Sequence, residues 1–132
     1  MVTLMRVLPI LVLTAGLTCL AACKGDDPNA ETRDRLLLEE MAADIDSLIG
    51  DAACADAEDC RAIAFGDKPC GGPWSYKVYS VTSVDTLKLV GLVDAHFEFN
   101  RTLNERYGWM SDCMFVMPPN IDCVEGKAVA VP

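Results

Sequence analysis

The stretch "CRAIAFGDKPCGGPWSYKVYSV", residues 60–81, decides the fold of the chain. Residues 61–65 form a short run that is apolar after Arg61. Residues 74–81 alternate in part and are rich in aromatic and β-branched side chains, so each run predicts a β-strand. Residues 66–73 lie between them and consist largely of glycine and proline, which predicts a loop or a set of tight turns. The stretch therefore indicates two strands joined by a loop of unusual backbone geometry.

Helical patterns flank this stretch on both sides. Residues 31–49 and residues 84–107 each carry one apolar stripe at helical spacing. The predicted stripes are Leu37, Met41, Ile45 and Leu48 in the first helix, and Leu87, Val90, Val93, Phe97, Leu103 and Tyr107 in the second. Ser83 or Asp85 is suited to cap the start of the second helix, and Gly108 is suited to end it.

The C-terminal residues predict further strands. Residues 113–117 form one candidate strand, and residues 121–124 and 127–131 flank the hairpin signal Glu125-Gly126. The element order predicts an α+β fold, a small disulfide-tied domain with two helices against a mostly antiparallel sheet of three to four strands. We assign residues 31–132 to this single domain.

The first 22 residues have the layout of a signal peptide, with Arg6 followed by an apolar run that ends in small residues. At its end, Leu20-Ala21-Ala22-Cys23 resembles the lipobox of bacterial lipoproteins. This resemblance implies a signal peptide over residues 1–22, cleavage before Cys23, a diacylglyceryl thioether on the Cys23 sulfur and acylation of the new N-terminus. Two or three acyl chains would hold the protein stably on a membrane.

The residues after the lipobox predict a short tether and a destination. Residues 23–30 are polar and rich in helix breakers, so we interpret them as a lipidated tether. In enterobacterial lipoproteins an aspartate directly after the lipidated cysteine favours the inner membrane, and this chain has Lys24 there. The resemblance therefore implies a lipid-anchored protein of the bacterial cell envelope, at the outer membrane.

The charge of the chain limits its partners. Residues 1–22 carry only Arg6, and the remainder has 10 basic and 20 acidic residues, a formal charge of −10. Nucleic acids and anionic membrane surfaces attract basic patches, and no cluster of lysine and arginine occurs in the sequence. We therefore expect no nucleic-acid partner.

Five of the seven cysteines remain after Cys19 leaves with the leader and Cys23 is lipidated. In an exported protein they are disulfide candidates, and they are Cys54, Cys60, Cys70, Cys113 and Cys123. Because the count is odd, one thiol is left over or pairs between molecules, and the sequence leaves the pairing open. No C-x-x-C motif or common zinc-ligand spacing occurs, so we expect neither a metal nor another cofactor.

Several motifs between residues 54 and 128 resemble a family of uncharacterised, cysteine-containing bacterial lipoproteins. They are "GDKPCGGPWSY", "YGWMSDC" and Cys123-Val124-Glu125-Gly126-Lys127. In that family a sixth cysteine falls at the position of Ala128. If the family bridges positions 123 and 128 across the hairpin, the resemblance implies that Cys123 is the free thiol of this chain.

No residue pattern points to catalysis. His96, the single histidine, is expected on the helix surface, and the common hydrolase, metalloprotease and dinucleotide motifs are absent from the sequence. A Cys–His pair would need an unpaired and activated thiol close to His96. Five large side chains near the C-terminus are expected in the core: Trp109, Met110, Met114, Phe115 and Met117.

The loop after the first strand is the best candidate contact surface. Lys68, Trp74 and Tyr76 combine a charge with aromatic rings on a disulfide-linked loop, a composition common in recognition sites. We therefore expect a non-catalytic binding or envelope module that takes an unknown protein or small-molecule ligand. One alternative is an anchored inhibitor that presents Lys68 to an extracellular protease, and a less favoured one is a thiol enzyme.

Overall fold

The computed structural model describes residues 28–132. The predicted leader, Cys19, the lipobox with Cys23 and the tether up to Asp27 lie outside the described residues. The elements in chain order are helix α1 (Ala30–Ile49), a 3₁₀ turn (Ala57–Asp59), strands β1 (Cys60–Phe65) and β2 (Ser75–Ser80), helix α2 (Thr86–Tyr107), and strands β3 (Asn120–Val124) and β4 (Lys127–Val131). The α+β class and the disulfide ties are confirmed.

The strands form two antiparallel pairs, so the prediction of one sheet with three to four strands is wrong. β1 pairs with β2, and β3 pairs with β4. The backbone N–H of Ala128 in β4 donates to Ala52 O at 2.9 Å, and Cys54 N–H donates to Gly126 O at 3.0 Å. The loop after α1 therefore forms hydrogen bonds with β4 where a third strand would have to pair. The two strand pairs contact each other without forming one sheet.

The predicted strand over residues 113–117 does not form. This segment has neither helix nor strand structure, and Pro118 and Pro119 follow it without backbone donors. Cys113 is bridged to Cys70, and the Met114 carbonyl accepts a hydrogen bond from the Lys68 ammonium at 3.0 Å. Side-chain ties to the β1–β2 loop therefore hold a segment that no strand pairs with.

Helix α2 begins and ends where its capping residues place it. The carboxylate of Asp85 accepts a hydrogen bond from Lys88 N–H at 3.1 Å, so α2 begins at Thr86. Gly108 ends α2 in the left-handed conformation with φ of 62°, which glycine adopts without steric cost. The two helices pack against each other, and buried side chains of both helices join those of the strands in one core.

The core lies where both helices meet β1 and β2. Its buried side chains include Ile45, Ile49, Tyr79, Leu89 and Val93. The predicted stripe of α2 is partly wrong, because Leu87 is 87% exposed. The buried face instead runs through Leu89, Val93, His96, Asn100 and Leu103. Because His96 and Asn100 are polar, apolar periodicity alone predicts a different buried face for α2.

Candidate functional site

A cavity of about 340 Å³ opens between α1, α2 and the ends of the β1–β2 loop. Its walls are mainly aromatic and apolar, with Phe65, Trp74 and Trp109 as the largest side chains. Polar groups come from both helices, with Arg35 and Glu39 from α1 and His96 and Asn100 from α2. This size lies near the lower end of the usual range for small-molecule sites, about 300–1,000 Å³.

Gly66 fixes the position of the Trp74 wall. Its φ is 73°, and a Cβ added there would lie 2.8 Å from Trp74 Cδ1 and 3.3 Å from Asn100 Oδ1. Trp74 N–H donates to Phe65 O at 3.0 Å, which closes the loop at its base. A glycine at position 66 thus lets the indole ring lie directly against the backbone.

His96 is the most unusual residue of the cavity. Its side chain is only 4% exposed and its ring stacks on Phe65, with ring centroids 4.3 Å apart. Among the buried side-chain nitrogen and oxygen atoms of residues 28–132, His96 Nδ1 has no hydrogen-bond partner. Burial, with a smaller effect of the nearby Lys77 charge, lowers the pKa of His96 below its ordinary value. The expectation of a surface histidine is therefore wrong.

The far wall of the cavity is held by charged groups of α1. Trp109 Nε1 donates to Glu31 Oε1 at 2.8 Å, and the Arg35 guanidinium lies over the Trp109 ring, 3.8 Å from its centroid. Arg35 also pairs with Glu31 at 2.6 Å. The Trp109 hydrogen bond, followed by that of Arg35, lowers the pKa of Glu31. The positive charge of Arg35 is thus already compensated inside the site.

Of the predicted contact residues, Lys68 and Trp74 lie together, with the Lys68 ammonium 5.3 Å from the centroid of a Trp74 ring, but the three do not form one exposed surface. Trp74 is 43% exposed and lines the cavity, and Tyr76 is half-buried within β2. Lys68 is only 5% exposed, and its ammonium donates to Asp112 Oδ1 at 2.7 Å and to the Met114 carbonyl. A protease pocket could accept Lys68 only after this ion pair breaks, so the structure does not present the lysine that the inhibitor alternative requires.

The structure pairs four of the five cysteines and leaves a different one free from the one that the resemblance implied. The disulfides are Cys54–Cys123 and Cys70–Cys113, and Cys60 is free and buried. Cys123 does face Ala128 across the two-residue turn, but the Cys123 sulfur is bridged to Cys54. The prediction of a free Cys123 is therefore wrong, because a loop residue and not a strand neighbour supplies its partner.

The free thiol is not activated for chemistry. Burial raises the pKa of Cys60, and the negative charges of Asp59, Asp122 and Asp56 raise it further. Its sulfur lies within 4.8 Å of both sulfurs of the Cys54–Cys123 disulfide. Reactive cysteines need a lowered pKa, so a thiol nucleophile at Cys60 is disfavoured. A three-thiolate metal site would require prior reduction of that disulfide.

The large C-terminal side chains expected in the core are mostly exposed. The exposed fractions are 91% for Met110, 71% for Met114, 75% for Phe115 and 71% for Met117, and only Trp109 is half-buried. Because residues 110–117 form no element, their side chains have no face with which to join the core. No sequence motif identifies Arg35 or Asn100 as cavity residues. The helical spacing of residues 89, 93, 96, 100 and 103 does place His96 and Asn100, the two cavity residues of α2, on one face.

Comparison with known proteins identifies no relative. No protein-family model, no curated protein and no solved structure matches the chain. Within residues 28–132, no helix is both long and apolar enough to cross a membrane. The lipoprotein resemblances therefore stay predictions, and the cavity gives the structural evidence on function.

Proposed function

We propose that this chain is a lipid-anchored binding module of the bacterial envelope, without catalytic activity, that holds a small and mainly apolar ligand in the His96 cavity. The observation that carries the ligand proposal is the unpartnered Nδ1 of the buried His96. A buried polar atom without a partner costs free energy. His96 lines the cavity but Nδ1 itself has almost no accessible surface, so a ligand would recover that cost by bonding to Nδ1 after the imidazole ring turns towards the cavity.

The anchor is supported by the sequence. Leu20-Ala21-Ala22-Cys23 has the lipobox pattern at the end of an apolar run, and Lys24 follows it. By the same resemblance we propose the outer membrane as the location. The described domain begins within a few residues of Cys23, so an anchored domain would stay close to the membrane surface.

The chemistry of the cavity favours an uncharged aromatic ligand. Phe65, Trp74 and Trp109 offer ring surfaces, and flat ligands gain from stacking on them. His96 is neutral near pH 7 because its pKa is lowered, and Arg35 is already paired with Glu31. Neither group provides an uncompensated charge, and the exposed carboxylate of Glu39 in the cavity lining disfavours an anion. The ligand we propose is therefore an uncharged planar molecule with one hydrogen-bonding group.

Nitrogen NMR of the single histidine tests this proposal directly. The chain contains one His, so ¹⁵N-histidine labelling of the purified lipoprotein in detergent reports on His96 alone. Indole serves as the probe, and indene, which has the same ring shape without the N–H group, is the matched control. We expect indole to shift the Nδ1 resonance to a hydrogen-bonded value and indene to leave it near its free value.

Two further results complete the test. Mass spectrometry of the N-terminal peptide should show an acylated Cys23. A Trp74→Ala variant, which removes one wall of the cavity, should weaken the response to indole, whereas Leu87→Ala, at an exposed site of α2, should not. An Nδ1 resonance that does not shift at a saturating concentration of indole would overturn the ligand proposal. An unmodified Cys23 would overturn the lipid anchor.

A further inference from the structure

Residues 110–117, here called the apolar segment, form an unusual surface. Met110, Met114, Phe115 and Met117 are each at least 71% exposed. Four large apolar side chains within one short segment differ from the single exposed apolar residues that are common on protein surfaces. Such a patch marks a contact site when it is held in place and has a defined partner.

The apolar segment is held in place. The disulfide Cys70–Cys113 ties its middle to the β1–β2 loop, and the buried Lys68 ammonium bonds both Asp112 and the Met114 carbonyl. Asp112 is the single charged residue of the segment, and Lys68 neutralises it at 2.7 Å. The apolar segment therefore presents its methionines and phenylalanine outward without a net charge of its own.

The apolar segment also lies beside the point where the chain enters the domain. Glu31, in the first turn of α1, accepts the hydrogen bond of Trp109, the residue before the segment. Asp34, one turn further on, accepts hydrogen bonds from Tyr107 and Arg106 at 2.7 Å each. The start of α1 and the start of the apolar segment are thus fixed against each other.

This proximity matters because the proposed anchor is close to α1. Seven residue steps separate Cys23 from Ala30. Even a fully extended chain of that length spans only about 25 Å. An acylated Cys23 would therefore keep the N-terminal end of α1, and with it the apolar segment, near the membrane surface.

We propose that the apolar segment inserts its side chains into the interfacial region of the bilayer that holds Cys23. The proposal rests on the lipid anchor of the proposed function. The partner is a lipid surface recognised by apolar contact and not by charge, because the chain after residue 22 has a formal charge of −10. At interfacial depth the unpaired backbone groups of the segment keep their water, which the hydrocarbon core would not allow.

Fluorescence quenching in vesicles tests the proposal on the whole lipidated protein. A Phe115→Trp variant places a reporter in the apolar segment, which follows the C-terminal end of α2, and Leu87→Trp places the same reporter at an exposed site near the N-terminal end of α2. The 22 residues of α2 separate the two ends by about 33 Å. Both proteins are reconstituted in phosphatidylcholine vesicles with or without brominated acyl chains, and the unsubstituted protein corrects for Trp74 and Trp109.

We expect brominated lipid to quench the added fluorescence of Phe115→Trp and to leave that of Leu87→Trp unchanged. Met114→Trp is a second reporter and should behave like Phe115→Trp. Mass spectrometry of the same samples establishes whether Cys23 is acylated. Equal quenching of Phe115→Trp and Leu87→Trp with an acylated Cys23 would overturn the membrane contact and leave the anchor standing.

Two other outcomes also overturn the proposal. If Cys23 is unmodified, the anchor of the proposed function fails and the membrane contact fails with it. If Phe115→Trp is shielded from aqueous iodide but not quenched by brominated lipid, and the protein is dimeric in detergent, the apolar segment contacts a second copy of the chain and not the bilayer.

Discussion

Each of the two disulfides ties a loop to a distant part of the chain, but the two bridges lie in different surroundings. Cys54–Cys123 joins the loop after α1 to β3 and lies beside the buried Cys60, where backbone hydrogen bonds also tie the loop to β4. Cys70–Cys113 joins two exposed residues and positions the apolar segment, which has no strand or helix of its own. The first bridge adds to backbone hydrogen bonds that already hold the loop after α1 against β4. The second bridge, together with the hydrogen bonds of Lys68, holds the apolar segment in place.

Removal of either disulfide should produce the largest loss of stability. In the chain-entropy treatment, bridges with separations of 69 and 43 residues differ little, and each contributes about 4 kcal/mol. We expect Cys54→Ser/Cys123→Ser and Cys70→Ser/Cys113→Ser to lower the free energy of unfolding by comparable amounts in urea titrations. A loss below about 1 kcal/mol for either double variant would contradict the assigned role of that bridge.

Single substitutions should separate the two bridges. In Cys123→Ser, the Cys60 sulfur lies within reach of Cys54. During refolding with oxidised glutathione the two thiols should form a new disulfide across a short loop, with release of two molecules of reduced glutathione, and restore about 2 kcal/mol. In Cys113→Ser, Cys60 is the one free thiol recorded within residues 28–132, and it lies beside Cys54 and not beside Cys70. Thiol titration of the unfolded, unreduced proteins should find Cys54 and Cys60 protected in the first variant, and Cys60 and Cys70 both reactive in the second. Reactive Cys54 in Cys123→Ser would refute the substitute bridge.

The loop that carries the second bridge should depend on one glycine. Gly66→Ala forces a left-handed conformation on alanine and drives its Cβ to 2.8 Å from Trp74 Cδ1, so we expect a loss of about 2 kcal/mol and weaker binding of indole. Gly71→Ala is the matched control, because its φ is 94° but no atom lies within 4 Å of the added Cβ. If both variants bind indole equally, Gly66 does not position the Trp74 wall.

The contrast between the two regions also explains what the sequence could predict. Both helices, the two strands around the β1–β2 loop and the Glu125-Gly126 turn were predicted correctly, because periodicity, capping and turn chemistry are local signals. The separation into two sheets was not, since it depends on hydrogen bonds between the Ala52–Cys54 loop and β4. Such contacts join residues far apart in the chain and leave no local pattern.

The candidate site was predicted less completely than the fold. Trp74, a predicted contact residue, lines the cavity, whereas Lys68 was expected at the surface because its partners Asp112 and Met114 lie more than 40 residues away. His96 was placed on the surface because a histidine does not register as part of an apolar stripe. Its spacing with Leu89, Val93, Asn100 and Leu103 was the one available signal, and it requires polar residues to be counted as members of a buried face.

The smallest effect should appear in the pH dependence of stability, and it should belong to the cavity and not to the Cys60 region. Because burial lowers the pKa of His96 in the folded protein, the unfolded chain takes up a proton near its ordinary value of 6.5 while the folded chain does not. The contribution of neutral His96 is therefore complete above that pH and decreases as the pH falls towards the lowered pKa.

His96→Gln should flatten this acid dependence in urea titrations between neutral and mildly acidic pH, whatever its effect on stability at pH 7. Cys60→Ser is the control from the other region. Burial and three carboxylates raise the pKa of Cys60, so its contribution is complete at low pH and decreases only as alkaline pH ionises the unfolded thiol. An acid slope that survives His96→Gln, or one that Cys60→Ser removes, would mean that groups outside the cavity control the acid response.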